Sequence, residues 1–420
     1  MATRVGCVLI VAVLSAVSAS CTAGTEGESS SDSSLHPSKP ESSTEVSSAT
    51  SEPAPTNAGT RAPRDGEPGF DSLPECFGRR ATLLGGPGDD RITGTRRRDV
   101  IVARGGDDVV TGLGEADYVC GGAGNDRVRS THKGFPAVWG IDLGSGDDRV
   151  HVVNADEILG GSGDDRMIFV RGPGQLSGGP GADYLQSMMT NHPYYPENAP
   201  CLSYEGAAGP VRVDLARGRA RGEGRDRLVN FWCLTGSRHS DTLLGTAGGD
   251  GISGGAGPDV VRAGAGDDSV DGGQHADRLY LGPGSDYGLG STGPDRLYGE
   301  QGDDNLEGWS DSDYLDGGPG DDEIYAALFC AIGINSYDTA GLMDGAPNEL
   351  FGGPGDDYLV GDKGNDRLDG GEGYDVGQGG YRDGRIDWME SIDRYIDGCL
   401  PGGNLMMPGN PGRTPTGRSR

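Results

Sequence analysis

Apolar residues recur along this chain at nine-residue steps, one per step, in a background of glycine and polar residues. Leu243, Ile252, Val261, Val270, Leu279, Leu297, Leu306, Leu315 and Ile324 keep the step, with one gap between Leu279 and Leu297. Each sits at the centre of a three-residue segment such as Arg278-Leu279-Tyr280. Successive side chains of a strand point to opposite faces, so the central residue points inward and its neighbours outward. Glycines crowd the places ahead of each segment, where they permit positive φ and close approach of carbonyls. The pattern predicts short strands joined by tight turns, with two nonapeptides forming one coil of a solenoid.

An aspartate stands two places before each apolar position. The series Asp241, Asp250, Asp259, Asp268, Asp277, Asp286, Asp295, Asp304, Asp313 and Asp322 has no miss. A shorter series, Asp90, Asp99, Asp108, Asp117 and Asp126, precedes it, with Arg96, Arg97 and Arg98 interrupting its second block. The phase is lost around Thr131 to Gly140, returns at Asp148, slips by one near Asp156 and recovers at Asp165. Asp183 follows, with Gly174 in the intervening aspartate slot, and Asn348, Asp357, Asp366 and Asp375 resume the repeat later.

Residues 18 apart in such a coil stack at the usual interstrand distance of about 4.8 Å. Asp250 then lies over Asp268, and Asp259 over Asp277. Stacked carboxylates repel unless something neutralises them. Two carboxylates and several turn carbonyls around one gap suit a hard divalent ion with many oxygen ligands, and calcium more than magnesium, which demands tight octahedral geometry. The expectation is two rows of calcium ions, one along each turn edge. A single Asp-Asp in a glycine-rich turn would more simply be a hydrogen-bonded Asx turn; a long series in phase favours metal. The metal-ligand set is therefore the aspartates named above: the ten-member and five-member series with Asp148, Asp165, Asp183, Asp357, Asp366 and Asp375. Asp268 has ligand-bearing coils on both sides, whereas Asp183 borders a stretch that lacks the repeat.

Composition sharpens this picture. The formal net charge is -30, which argues for cations and against nucleic acid or anionic membrane as partners. Apolar content is 34% and aromatic content 6%, too low for a thick core and suited to one apolar residue per strand. Without metal, the alternative for so acidic and glycine-rich a chain is disorder.

These nonapeptides resemble the haemolysin-type calcium-binding repeats of the repeats-in-toxin (RTX) family over most of residues 76–380. The resemblance implies an all-β fold, a right-handed parallel β-roll, here with two insertions and a C-terminal cap. It also implies that sixth-position aspartates on the same side share one calcium, giving the pairs Asp241/Asp259 through Asp304/Asp322 and Asp90/Asp108 through Asp108/Asp126. The segments Gly209 to Leu215 and Asp226 to Phe231 resemble a stretch that often precedes such arrays, although Trp232 stands where a glutamate is usual. Members exported by a one-step machine carry an uncleaved C-terminal signal; this chain has an N-terminal signal and a basic tail instead.

Residues 1–20 read as an export signal: Arg4 gives the positive start and Val8 to Val17 a short apolar run. Val17-Ser18-Ala19 suits ordinary cleavage, while Ser18-Ala19-Ser20-Cys21 resembles a lipobox, so free secretion and a lipid anchor on Cys21 both stand. Either places the protein outside the cell or on its surface. Residues 21–75, rich in Ser, Thr and Pro, read as a disordered tether. Residues 76–186 form the first repeats, 187–235 an insertion, 236–325 the central array and 326–347 a second insertion. Residues 348–400 hold the last repeats and a cap with Ile386, Trp388, Ile392, Tyr395 and Ile396, and 401–420 a disordered tail. Six cysteines lie beyond the signal: Cys76, Cys120, Cys201, Cys233, Cys330 and Cys399. An even number in an exported chain predicts disulfides, with Cys201 and Cys233 a natural pair.

No H-E-x-x-H or G-x-S-x-G occurs, and Gly288 to Gly293 matches G-x-G-x-x-G inside the repeat with no helix following. Two function classes remain. One is a calcium-binding structural or interaction protein of the cell surface, meeting envelope glycan or protein. The other is a β-helical enzyme or lectin-like protein acting on extracellular polysaccharide, with Tyr194, Tyr195, Tyr204, Glu205 and Trp232 as its candidate surface. The plainer reading is that those aromatics cover a break in the solenoid.

Overall fold

The structure is a computed structural model and describes residues 59–64, 69–114, 116–130, 138–172, 174–189, 200–327, 346–362, 364–379 and 388–396. It is an all-β parallel solenoid of about 14 turns. Strands alternate between two long ladders. In the first ladder Val260–Arg262 pairs in parallel with Arg278–Pro283, which pairs with Arg296–Gln301. In the second, Gly251–Ser253 pairs with Ser269–Gln274 and that with Tyr287–Thr292. Both registers are 18 residues, Leu279 opposite Leu297 and Val270 opposite Gly288.

The inward residues build one continuous thin core. Leu243, Val261, Leu279, Leu297 and Leu315 come from one ladder, and Leu234, Ile252, Val270, Leu306 and Ile324 from the other; all are buried. Gly288 leaves a gap in the apolar series, and the side chains of Leu281 and Leu306 occupy the space a larger residue would take there. Several strands run six residues rather than the three expected. Turn residues at equivalent places also stack, so Gly273 pairs with Ser291 and Gly282 with Glu300 beyond the core residue. That close stacking fixes the turn glycines. Gly302 has φ +129, and an added methyl would meet the Gly284 carbonyl oxygen of the coil before it. Gly302→Ala is therefore expected to raise the calcium needed for folding several-fold, whereas Gly88→Ala, with open space around it, leaves it nearly unchanged; a calcium titration of both variants checks this.

The stretch 187–235, expected as an insertion, is built into the ladders where it is described. Pro200–Ser203 and Cys233–Thr235 pair with each other and join Gly174–Ser177 to Gly251–Ser253. Arg225–Val229 follows Tyr184–Ser187 in the other ladder, and Arg212–Asp214 and Arg219–Arg221 add two strands with antiparallel pairing. The nonapeptide spacing is lost there, but the inward alternation is kept by Leu202, Val213, Ala220, Leu228 and Leu234, all buried. Across the second expected insertion, Tyr314–Asp316 pairs with Glu349–Pro354, so the ladder closes over residues 326–347. At the C-terminal end, Trp388–Glu390 and Arg394–Ile396 extend both ladders by a further coil. Ile386 lies outside the described residues. At the other end, Thr60–Arg61 lies antiparallel to Leu83–Leu84 and covers the N-terminal edge of the second ladder, so strand structure is present ahead of Cys76.

Two disulfides are present among the described residues. Cys201 bonds Cys233, as the sequence suggested, and Cys76 bonds Cys120 across 44 residues. Cys330 and Cys399 lie outside the described residues. Mass spectrometry of the unreduced exported protein is expected to recover both linked peptide pairs; free thiols at Cys201 and Cys233 would contradict the pairing.

Candidate metal centre

Each aspartate of the repeat precedes its strand and turns inward beneath the glycine-rich turn. All the aspartates named from the sequence are buried. They form two columns, one at the start of each ladder's strands. In the first, the Asp241 N–H donates to Oδ1 of Asp259 at 2.7 Å, Asp259 to Asp277 at 2.7 Å, Asp277 to Asp295 at 2.8 Å and Asp295 to Asp313 at 2.9 Å. In the second, Asp250 donates to Asp268, Asp268 to Asp286, Asp286 to Asp304 and Asp304 to Asp322, at 2.6–2.8 Å. The same link joins Asp90, Asp108, Asp126, Asp148, Asp165 and Asp183 in one column and Asp99 to Asp117 in the other. It continues from Asp322 to Asp357 and Asp375, and from Asp313 through Asn348 to Asp366. Every sequence-derived pair one coil apart is thus brought together.

Three column members escaped the sequence reading as ligands. Asp226 accepts from the Asp183 N–H at 3.3 Å, so Asp183 does not end its column. Its spacing of 43 residues hides it, although it stands two places before the inward Leu228 as every repeat aspartate does. Asp393 accepts from the Asp375 N–H at 3.1 Å, and its 18-residue spacing was visible. Asn348 occupies an aspartate place with an amide. An outer series also emerged: the Asp107 N–H donates to Asp89, Asn125 to Asp107, Asp147 to Asn125 and Asp164 to Asp147, all exposed. Its signal is the acidic or amide residue just ahead of Asp90, Asp108, Asp126, Asp148 and Asp165.

Asp90, Asp99, Asp117, Asp241 and Asp366 accept a turn N–H on Oδ2, but most of the column carboxylates are hydrogen-bonded through Oδ1 alone. The Oδ2 atoms of Asp108, Asp126, Asp148, Asp165, Asp183, Asp259, Asp268, Asp277, Asp286, Asp295, Asp304, Asp322, Asp357 and Asp375 are buried with no hydrogen-bond partner among the described residues. A buried carboxylate oxygen left bare is costly, and a bound cation is the ordinary remedy. Burial first, then the facing carboxylates, pushes these groups up: Asp268 to about 8 with Asp250 and Asp286 adding to it, Asp295 to about 9, and Asp259 and Asp322 to about 8. The backbone N–H bond to each works the other way and does not compensate.

Among the described residues no three His, Cys, Asp or Glu side chains converge. A zinc-type cage of side chains is therefore not what the columns offer. Their donors are one or two carboxylate oxygens per gap with turn carbonyls beside them, a set suited to calcium, which takes backbone carbonyls readily. The residues present fit that ion, which when bound would neutralise the stacked charge. Of the aromatics named for a sugar surface, Tyr204 is buried and its hydroxyl donates to Oδ2 of Asp226 at 2.9 Å. It closes the column at the antiparallel strands and offers no ring to solvent. Tyr194 and Tyr195 lie outside the described residues.

The match to a repeat family agrees with this geometry. Residues 82–96, 93–128, 154–176, 235–261, 253–287, 289–324 and 344–376 match the family of the RTX calcium-binding nonapeptide repeat. Among solved structures, the chain is similar to a hyperactive, Ca2+-dependent, β-helical antifreeze protein from an Antarctic bacterium, at 18% identity over 74% of this chain and 79% of that one, with a TM-score of 0.21. No curated protein matches the sequence. With the two aspartate columns in place along its coils, the chain carries RTX haemolysin-type calcium-binding nonapeptide repeats that form a β-solenoid.

Proposed function

We propose that this is an exported protein whose solenoid forms when calcium fills the two aspartate columns outside the cytoplasm, and which then serves as a structural or interaction module at the cell surface. The buried, bare Oδ2 atoms repeated coil after coil carry this reading. A metal that binds only the assembled columns converts its binding free energy into folding free energy. Low calcium inside the cell keeps the chain extended, and high calcium outside folds it. The two disulfides fit the same side of the membrane, since such bonds persist in oxidising compartments.

Calorimetric titration of the purified mature chain tests the metal reading. The expected result is several calcium ions per chain in the weak extracellular class of about 10⁻⁴–10⁻³ M, with magnesium not substituting. A stoichiometry of one ion or none would contradict it. Membrane partitioning of the wild type, abolished by Cys21→Ser, would assign a lipid anchor; a mature N-terminus with an unmodified Cys21 thiol would assign free secretion.

A further inference from the structure

Along part of the solenoid the two outward faces carry opposite charge. Strands of the second ladder from Gly140–Ser145 to Val376–Gln378 contain no arginine or lysine, and their outward positions include Asp142, Glu157, Asp271 and Glu323. The first ladder is the reverse over its early coils only, its later strands mixing arginine with Asp316, Glu349 and Asp369. Its strands from Arg91–Thr93 to Arg166–Phe169 contain no acidic residue. The net charge of -30 thus conceals a basic face, because the aspartates that dominate it are in the turns and the core.

On that face basic side chains lie in a row. Arg127 is in register with Arg149, Arg149 with Arg166, Arg166 with Tyr184, Tyr184 with Arg227, and Arg227 with Arg219. All five arginines are exposed. Beside the row, Arg221 lies opposite both Arg212 and Arg225. Like charges directly opposite on neighbouring strands destabilise a sheet. No ion pair compensates Arg127, Arg149, Arg219 or Arg221 among the described residues. A row retained at this cost, with its charges about 4.8 Å apart per strand, is complementary to a linear polyanion.

We infer that this face, centred on Arg127, Arg149 and Arg219, binds a linear acidic polysaccharide. Guanidinium groups recognise carboxylate and sulfate through paired N–H donors. The aromatic rings of the face are already covered: Arg166 and Arg227 lie over Tyr184 at 4.2 and 5.4 Å, and farther along Arg262 lies over Tyr280, which stacks on Tyr298 at 4.9 Å. Ring faces so occupied are not offered to a neutral sugar or a nucleobase, so the charged groups of the ligand are what the face reads. The strip is about three residues, roughly 10 Å, wide. An exposed row of three aspartates and an amide, Asp107, Asn125, Asp147 and Asp164, borders the Arg127-to-Arg166 stretch. A single chain fits that strip, whereas a broad anionic surface would meet the acidic border.

This inference rests on the calcium-folded solenoid, and the test separates the two. The full mature chain in calcium is applied to immobilised heparin, a sulfated uronate-containing polysaccharide, and circular dichroism is recorded on the same samples. Binding is expected, weakened by salt and at least tenfold weaker for Arg127→Gln/Arg149→Gln/Arg219→Gln, with Glu157→Gln on the opposite face unchanged. Both variants should keep the wild-type spectrum in calcium. A wild type that folds on calcium yet ignores heparin overturns this inference and spares the calcium reading; a chain that fails to gain β-structure on calcium overturns the calcium reading itself. Equal affinity for a single-stranded oligonucleotide or phosphatidylglycerol vesicles overturns the assignment to polysaccharide, as does equal loss in the Glu157 variant.

Discussion

Asp268→Ala is expected to raise the calcium concentration for half-maximal folding by roughly 10–100-fold, at or above the range seen when even an outer partner of a metal ligand is removed. Asp268 stands in the middle of its column, accepting from the Asp250 N–H and donating its own N–H to Asp286. Losing it leaves one N–H without its acceptor and two gaps short of a carboxylate. Asp90 has an aspartate neighbour on one side only, Asp108, so Asp90→Ala should have the smaller effect. Asp183 separates the sequence reading from the structural one. Read as the border of an insertion, it should matter less than Asp268. Held between Asp165 and Asp226, it should approach Asp268 in effect. Calcium titrations followed by circular dichroism rank the three; an Asp268→Ala curve that overlays the wild type would contradict the column as the binding element.

How much of this was legible follows from what repeats. The coil, the inward residue and the two aspartate columns came from a strict period, because stacking at 18 residues requires the same side chain at the same place. Asp226 was missed because the antiparallel strands from Arg212 to Val229 enter the ladder without keeping the period. They keep only the alternation, seen in Val213, Ala220 and Leu228. The pairing of Cys201 with Cys233 could be read because the two flank those strands. That of Cys76 with Cys120 could not, since it depends on Glu75–Cys76 packing beside the ladder strand Tyr118–Ala123. The charge difference between the two outward faces was also written in the sequence, as arginines flanking inward residues. It became visible only once alternate strands were assigned to separate ladders.

Acidification is expected to replace calcium in part. The ordinary aspartate value is 3.8, and in the metal-free fold burial lifts Asp268, Asp259 and Asp322 to about 8 and Asp108, Asp165 and Asp357 to about 7. The folded chain therefore holds more protons than the unfolded chain between those limits. Stability then falls as pH rises through that window: the metal-free fold is most favoured near the ordinary aspartate value and is lost by about pH 8. Each tenfold in proton affinity is worth about 1.4 kcal/mol, so a few such groups outweigh the roughly 5–15 kcal/mol of a typical domain. Calcium must displace these protons, so its affinity should rise with pH and binding should release acid. The check is a pH series in chelator. β-structure should be present in mild acid and absent in mild alkali, and the calcium midpoint should fall as pH rises. A midpoint independent of pH would mean that the column aspartates do not exchange protons for metal.

The most direct measurement is the far-ultraviolet circular dichroism of the purified mature chain, in mild alkali, first in excess chelator and then with rising calcium. Bare stacked carboxylates and a core of one apolar residue per strand predict little β-structure in chelator. They also predict a cooperative gain in the millimolar calcium range and no gain with magnesium. A spectrum already β-rich in chelator and unchanged by calcium would contradict the account.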